Sequence, residues 1–257
     1  MNRKAVLIGF EYKNGKKLPG ISVDLYQVYT FLKKLNWKDN EITVFTDIKK
    51  DEQTDILKAA LLEKIVDSKI LTFIEDLKEK KQYFEFNSLN HYNNFNSLFN
   101  NSEKVFIYYS GHSKDGNLIL PNNSLVSLDS FRDNLKNKQI FLIMDCCEGG
   151  IKLPFVLNDK NYRLENENCF VKSEFICISS SLFNENSVIS KTGSLFTRNL
   201  LTILETTLDL KNIKKKIKTG NISVSYPNLC SVFTFFYKNI DINININENF
   251  ISIERSI

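Results

Sequence analysis

Two histidines and five cysteines are the whole supply of soft metal ligands in this 257-residue chain. Cys146 and Cys147 are adjacent, while Cys169, Cys177 and Cys230 stand apart, so no zinc-binding spacing is available. The odd count and scattered positions also exclude a paired disulfide framework. No apolar run reaches the roughly 18 residues that a membrane span needs. The start, Met1-Asn2-Arg3-Lys4, leads straight into Ala5–Phe10. That run is too short for a signal-peptide core and lacks a small-residue cleavage site. The expectation is a cytoplasmic protein with no membrane contact. A glycine-rich phosphate loop is missing, and no internal repeat is present. Neither sign of charge dominates, since the formal net charge is only +4. The clearest basic cluster, Lys211–Lys218, is interrupted by Ile213 and Ile217 and reads as a solvated helix face. No nucleic-acid partner is expected.

What remains is a chain whose apolar runs alternate with amphipathic stretches. Ala5–Phe10, Ile42–Phe45, Val105–Tyr109, Ile140–Met144, Phe175–Ile178 and Val232–Tyr237 read as strands. Helical spacing marks Ser22–Leu35, a helix from an N-cap at Thr54 through Ile65, one near Leu128–Leu135, and one at Ser194–Leu208. This βαβα order predicts one α/β domain over residues 1–257, with a mostly parallel sheet of six strands and helices on both faces. Two segments break the rhythm. Residues 68–101, Lys-rich and then Asn/Phe-rich, read as an insertion holding one or two helices. Residues 151–172 read as an exposed loop. The tail from Asn239 to Asn247 alternates Ile with polar residues, a strand signal. No pro-domain is expected ahead of the first strand.

Two strands end in chemistry. Val105–Tyr109 runs into Ser110-Gly111-His112-Ser113, and Ile140–Met144 runs into Asp145-Cys146-Cys147-Glu148-Gly149-Gly150. In open α/β sheets, ligands bind at the carboxyl ends of strands. A His and a Cys placed there suggest a thiol nucleophile and its base. Successive residues of an extended strand point to opposite faces, so only one of Cys146 and Cys147 is expected to face the cleft. His91 lies in the Asn-rich stretch and reads as a surface residue.

Strand–Ser-Gly-His followed by strand–Asp-x-Cys-x-x-Gly resembles the caspase-like cysteine peptidases, and most closely the metacaspase and paracaspase branch. Leu18-Pro19-Gly20 with Asp24 resembles that family's element after the first strand. Thr54-Asp55-Ile56-Leu57 resembles the start of its second helix, and Gly193-Ser194-Leu195-Phe196-Thr197 its Gly-x-Phe-Thr element. The resemblance implies a caspase-hemoglobinase fold, Cys147 as nucleophile and His112 as base, with Cys146 as packing. It implies an oxyanion hole from the backbone N–H groups of Ser113 and Cys147. It also implies that Asp145, Asp24 and Ser110 line a pocket for the residue before the cleaved bond. An acid two positions before the Cys marks the branches that cut after Arg or Lys, and a paired carboxylate site suits a guanidinium.

The departures shape the remaining expectations. Ser113 stands where the family has Gly, and Glu148-Gly149-Gly150 replaces His-Ser-Gly. Where many metacaspases carry an acidic pair for calcium, this chain offers Asn122, Asn123 and a lone Asp129. No cofactor is therefore expected, and calcium activation is poorly matched. Protein or peptide substrates are expected, with an activating partner as one route of control. Self-cleavage at Lys160, Arg163 or Lys172 is another. The setting would be a regulated cell-death, stress or defence process. A catalytically inactive caspase-like binding module is the alternative. Another His–Cys hydrolase or acyl transferase is a third reading, with no acyl-carrier motif behind it.

Overall fold

The computed structural model describes residues 2–12, 15–48, 53–79, 97–115, 117–127, 135, 138–147, 155–158, 161–164, 174–181, 186–187, 189–205, 232–235, 242–247 and 250–255. Five adjacent strands form the parallel part of the main sheet: β1 (Arg3–Gly9), β2 (Ile42–Thr46), β3 (Lys104–Ser110), β7 (Gln139–Asp145) and β10 (Glu174–Ser179). β13 (Val232–Phe235) adds antiparallel to β10. A hairpin of β8 (Phe155–Asn158) and β9 (Asn161–Leu164) extends the sheet beyond β13, giving the order β2-β1-β3-β7-β10-β13-β8-β9.

The sheet thus has eight strands rather than six, and the extra two come from the stretch read as an exposed loop. Phe155–Asn158 and Asn161–Leu164 are each four residues long, too short for their alternation to stand out from an Asn/Glu-rich surround. Pairing with β13 covers a strand edge that would otherwise be open. Arg163, one of the expected self-cleavage sites, is paired with Val156 inside this hairpin. Lys160 and Lys172 lie outside the described residues, as do His91, Asp129, Cys169, Cys230 and the basic stretch 211–218.

Strand alternation divides the core into two layers. One contains Ala5, Leu7, Phe106, Tyr108, Phe141 and Ile143, packed against α1 (Ile21–Lys34), α2 (Thr54–Leu62), α3 (Lys69–Glu79) and α4 (Leu195–Leu204). The other contains Val6, Ile8, Val105, Ile107, Tyr109, Ile140, Leu142 and Met144. Among the described residues it is covered by Phe99, Leu135 and a small antiparallel sheet of β4 (Ser113–Lys114), β5 (Asn117–Ile119) and β6 (Leu125–Ser127). The helix expected near Leu128–Leu135 lies outside the described residues except for Leu135. Burying each of these large side chains contributes roughly 1.5–3 kcal/mol, which is why both faces of the parallel strands read as continuous apolar runs.

Both α1 and α2 end in the same way. Asn36 (φ 59) and Lys64 (φ 54) take the left-handed conformation just past the last turn. The Trp37 N–H then bonds the Leu32 carbonyl, and the Ile65 N–H bonds the Ala60 carbonyl. These 6→1 bonds satisfy the last helical carbonyls. The expected N-cap at Thr54 is corrected. Thr54 is the first helical residue and Gln53 holds the cap position without a side-chain cap bond. The Gln53 amide is engaged instead by the Ser22 hydroxyl at 2.6 Å and Glu11 at 2.6 Å. A short hairpin of β11 (Ile189–Ser190) and β12 (Gly193–Ser194) leads into α4, and in the tail β14 (Ile242–Asn247) pairs with β15 (Phe250–Arg255) in a ribbon separate from the main sheet. No helix among the described residues is long and apolar enough to cross a membrane.

Candidate active site

β3 and β7 are neighbours in parallel, with Ser110 opposite Asp145 in the register. His112 and Cys147 each lie two residues beyond that pair, just past the carboxyl ends of two adjacent strands. Adjacent strands are about 4.8 Å apart. The two segments are tied directly: the Gly111 N–H meets the Asp145 carbonyl at 3.4 Å, and the Ser113 hydroxyl donates to the Cys147 carbonyl. Ser113 lies in β4 and is not among the positive-φ residues, so serine fits its backbone without strain.

Alternation separates the two cysteines. Cys146 continues the parity of Leu142 and Met144 and is buried at 1% exposure in the second core layer. Cys147 follows in the turn and is partly exposed. Its Sγ lies 4.0 Å from the Ser187 carbonyl.

His112 is partly exposed, and its Nε2 is 2.6 Å from the Lys16 carbonyl. A carbonyl can only accept, so Nε2 carries a proton and Nδ1 is the nitrogen that can act as a base.

Asp145 has the parity of Phe141 and Ile143 and points to the helical layer. Its carboxylate accepts from the Thr197 hydroxyl at 2.6 Å and the Ser187 hydroxyl at 3.0 Å. Ser180 bonds Ser187 at 2.7 Å, and the Tyr108 hydroxyl lies 2.8 Å from that of Thr197. Ser110 hydrogen-bonds Tyr108 on the same side. Asp24, in the first turn of α1, accepts the Ser194 N–H at 2.8 Å through Oδ1. The contact explains two glycines. A Cβ on Gly193 (φ +96) would lie 2.5 Å from Asp24 Oδ1, and one on Gly20 (φ +91) would lie 2.5 Å from the Gly193 nitrogen. The structure therefore brings Asp24, Ser110 and Asp145 together, linked through Tyr108, Ser194 and Thr197.

The family model of the caspase domain matches residues 2–223, which include every strand of the parallel core and both His112 and Cys147. The chain belongs to the caspase domain family. This is a family of cysteine peptidases. Among solved structures, the crystal structure of caspase-1 from Spodoptera frugiperda is similar, with a TM-score of 0.54 and 16% sequence identity. That match covers 93% of this chain and 90% of the other, and at such identity it shows the fold. No curated protein matches the chain significantly.

In this caspase domain the acidic residues are buried rather than open. Asp24 is 0% exposed and Asp145 is 5% exposed. Burial pushes both carboxyls above the ordinary value of 3.8. The negative charge of Asp145 pushes Asp24 up further, while the Ser194 N–H and the charge of Arg198 oppose the rise. Hydroxyl donation from Ser194, Thr197, Ser187 and Ser180 opposes it at Asp145. Oδ2 of Asp24 has no hydrogen-bond partner among the described residues. Burial likewise raises the Cys146 thiol far above its ordinary value.

Several members of the site were not legible in the chain. Ser180 directly follows β10, so the rule of carboxyl strand ends could have found it. Ser187 and the Lys16 carbonyl carry no sequence signal, because only the folded loops bring them to the site. Among the described residues no group of three His, Cys, Asp or Glu side chains is placed to hold a metal ion. Oδ1 of Asn122, in the stretch compared with the family's calcium region, is taken by the Ser124 N–H and hydroxyl.

Proposed function

We propose that the protein is a cysteine endopeptidase of the metacaspase type, cleaving after Arg or Lys with a Cys147–His112 dyad. The observation that carries this reading is the β3–β7 register, which sets His112 and Cys147 at equal offsets beyond Ser110 and Asp145. His112 Nδ1 takes the thiol proton of Cys147, and the thiolate attacks the carbonyl carbon of the scissile peptide. The resulting oxyanion is held by the backbone N–H groups of Ser113 and Cys147. The imidazolium returns the proton to the leaving amine nitrogen, and the C–N bond breaks to leave a thioester. Water, deprotonated by His112, attacks the thioester and releases the carboxylic acid and the thiol.

Asp24 and Asp145 support the choice of Arg or Lys. Two desolvated carboxyls, one with an oxygen that has no partner among the described residues, suit a bidentate guanidinium. Ser187 connects the pocket to the nucleophile, with its hydroxyl on Asp145 and its carbonyl near the Cys147 sulfur. The substrates are proteins or peptides and the setting is cytoplasmic, with calcium activation poorly matched by Asn122, Asn123 and a lone Asp129. Self-cleavage in residues 151–172 is a further part of the reading. Cutting at Arg163 would first require the β8–β9 hairpin to open.

Hydrolysis of fluorogenic peptides ending in Arg, Lys or Asp tests the proposal, run with wild type, Cys147→Ala and Cys146→Ala, with calcium or chelator. Turnover of the Arg and Lys peptides that disappears only in Cys147→Ala is the expected result. Preferential turnover of the Asp peptide would overturn the specificity. The burial of both acids favours one second reading, an inactive binding module with a closed pocket. Failure of an Arg acyloxymethyl ketone to label Cys147 would support that reading instead.

A further inference from the structure

The loop between β1 and α1 is built around His112. Tyr12 takes the left-handed conformation (φ 56), an unusual choice for a bulky side chain. Asp47, just past β2, holds it there: its two carboxylate oxygens accept the Glu11 N–H at 2.7 Å and the Tyr12 N–H at 2.9 Å. Further bonds close the loop, from Gly15 N–H to the Tyr12 carbonyl and from Leu18 N–H to the Glu11 carbonyl.

The loop reaches His112 at three points. The Tyr12 ring lies against the imidazole, with centroids 4.5 Å apart. The Tyr12 hydroxyl accepts the His112 backbone N–H at 2.7 Å and donates to the Ile119 carbonyl at 2.6 Å. The Lys16 carbonyl accepts from Nε2. From β3, Tyr109 completes the clamp: its hydroxyl donates to the His112 carbonyl at 2.6 Å and lies 3.1 Å from that of Tyr12. Both hydroxyls crowd Gly111, where a Cβ would come within 2.7 Å of each. The glycine of the Ser-Gly-His motif is thus required by the clamp, since its φ is not positive.

We propose that Tyr12 and Asp47 are positioning residues for His112, resting on the reading of His112 as the general base. Asp47 sets the backbone of the loop. That loop carries the Tyr12 hydroxyl to the His112 main chain and the Lys16 carbonyl to its ring. The result is one rotamer and one tautomer, with Nδ1 left free for the thiol. A residue in a sparsely populated conformation, held by a carboxylate and pressed on a catalytic ring, is the pattern of a site stiffened for chemistry rather than for stability. The titratable side chains that the loop and strands bring to His112 in this arrangement are Tyr12 and Tyr109, both raised above their ordinary values by burial.

The test uses the full chain with Tyr12→Phe and Asp47→Asn. The readouts are kcat and KM on an Arg peptide, thermal unfolding, and the pH profile of Cys147 alkylation by iodoacetamide followed by intact mass. The expected result is a kcat roughly 10- to 100-fold lower with KM little changed, and a displaced acid limb of the alkylation profile. Variants that unfold like wild type and keep both kcat and the alkylation profile would overturn the proposal. A measurement on unsubstituted His112 covers the case in which the variants do not fold. With only two histidines in the chain, His91→Gln assigns the imidazole nitrogens by NMR. Neutral His112 is expected as the Nε2–H tautomer, and the Nδ1–H tautomer would refute the clamp. If wild type cleaves no peptide, the peptidase reading fails, while the alkylation profile and the tautomer still decide the positioning role.

Discussion

A thiol reacts as its thiolate, so one position in the chain decides which of two adjacent cysteines can act. Cys146 is sealed among Met144, Leu142 and Cys177, where burial holds the proton on sulfur. Cys147 stands in the turn beyond the strand and is partly exposed. Cys147→Ala is expected to abolish turnover while leaving the unfolding temperature near wild type. Cys146→Ala is expected to keep kcat and to lose about 1 kcal/mol of stability through the small cavity it leaves. Peptide assays and denaturant unfolding of both variants check the pair. A loss of activity in Cys146→Ala, with its fold intact, would contradict the assignment. Period-two alternation along Ile140–Met144 says that only one of the two thiols faces the cleft, and the resemblance of the Asp-x-Cys motif to the family's is what points to Cys147. Two hydroxyl partners of the Asp145 carboxylate were not readable, because Ser187 and Thr197 lie 42 and 52 positions away.

Elements that look unrelated in the chain turn out to share one contact. The Leu18-Pro19-Gly20 turn leads into α1, and Gly193-Ser194 leads into α4. Gly20 and Gly193 lie close enough to exclude a side chain at either position. Their left-handed backbones let the N-terminal end of α1 approach the Ser190–Gly193 turn and bring Asp24 onto the Ser194 N–H. Gly193→Ala is expected to cost more than about 1–2 kcal/mol, the penalty for a Cβ in the left-handed region, because the Asp24 oxygen must also move. At roughly 2–4 °C per kcal/mol for a domain of this size, calorimetry resolves the loss easily. An unfolding temperature equal to wild type would mean that the turn relaxes freely. Both motifs were visible as sequence, but their mutual packing depends on helix placement that no local pattern encodes.

At the scale of the whole molecule, two buried acids make stability depend on pH. Asp24 and Asp145 have folded-state pKa values raised above the ordinary 3.8. A raised carboxyl favours folding while protonated, so its contribution is full at low pH and is lost as pH rises through the folded value. Asp24→Asn removes one of the two charges and keeps an oxygen to accept the Ser194 N–H. Its unfolding temperature is expected to exceed that of wild type by a margin that widens between pH 4 and pH 7. Turnover of Arg peptides is expected to fall in the same variant. Parallel curves for the two proteins across that range would show that Asp24 is not desolvated. A second prediction concerns the chain as a unit: active wild-type protein is expected to show fragments ending in residues 151–172 by intact mass, and Cys147→Ala none. An active, uncut chain would remove self-cleavage from the proposed function.

The sequence by itself determined the parallel strands and set a His and a Cys just past the carboxyl ends of two of them, while the preference for Cys147 over Cys146 came from the resemblance of the Asp-x-Cys motif. The strands follow from local periodicity, with apolar runs where both faces are buried, and the two-residue repeat adds that only one of the adjacent thiols faces the cleft. Tertiary structure alone decided the burial of Asp24 and Asp145, the hydroxyls around Asp145, the hairpin that lengthens the sheet, and the Tyr12–Asp47 support of His112. Each of these joins residues far apart in the chain, and their contact depends on how helices and loops settle on the sheet. A single-chain pattern carries no information about such distances until the fold is formed.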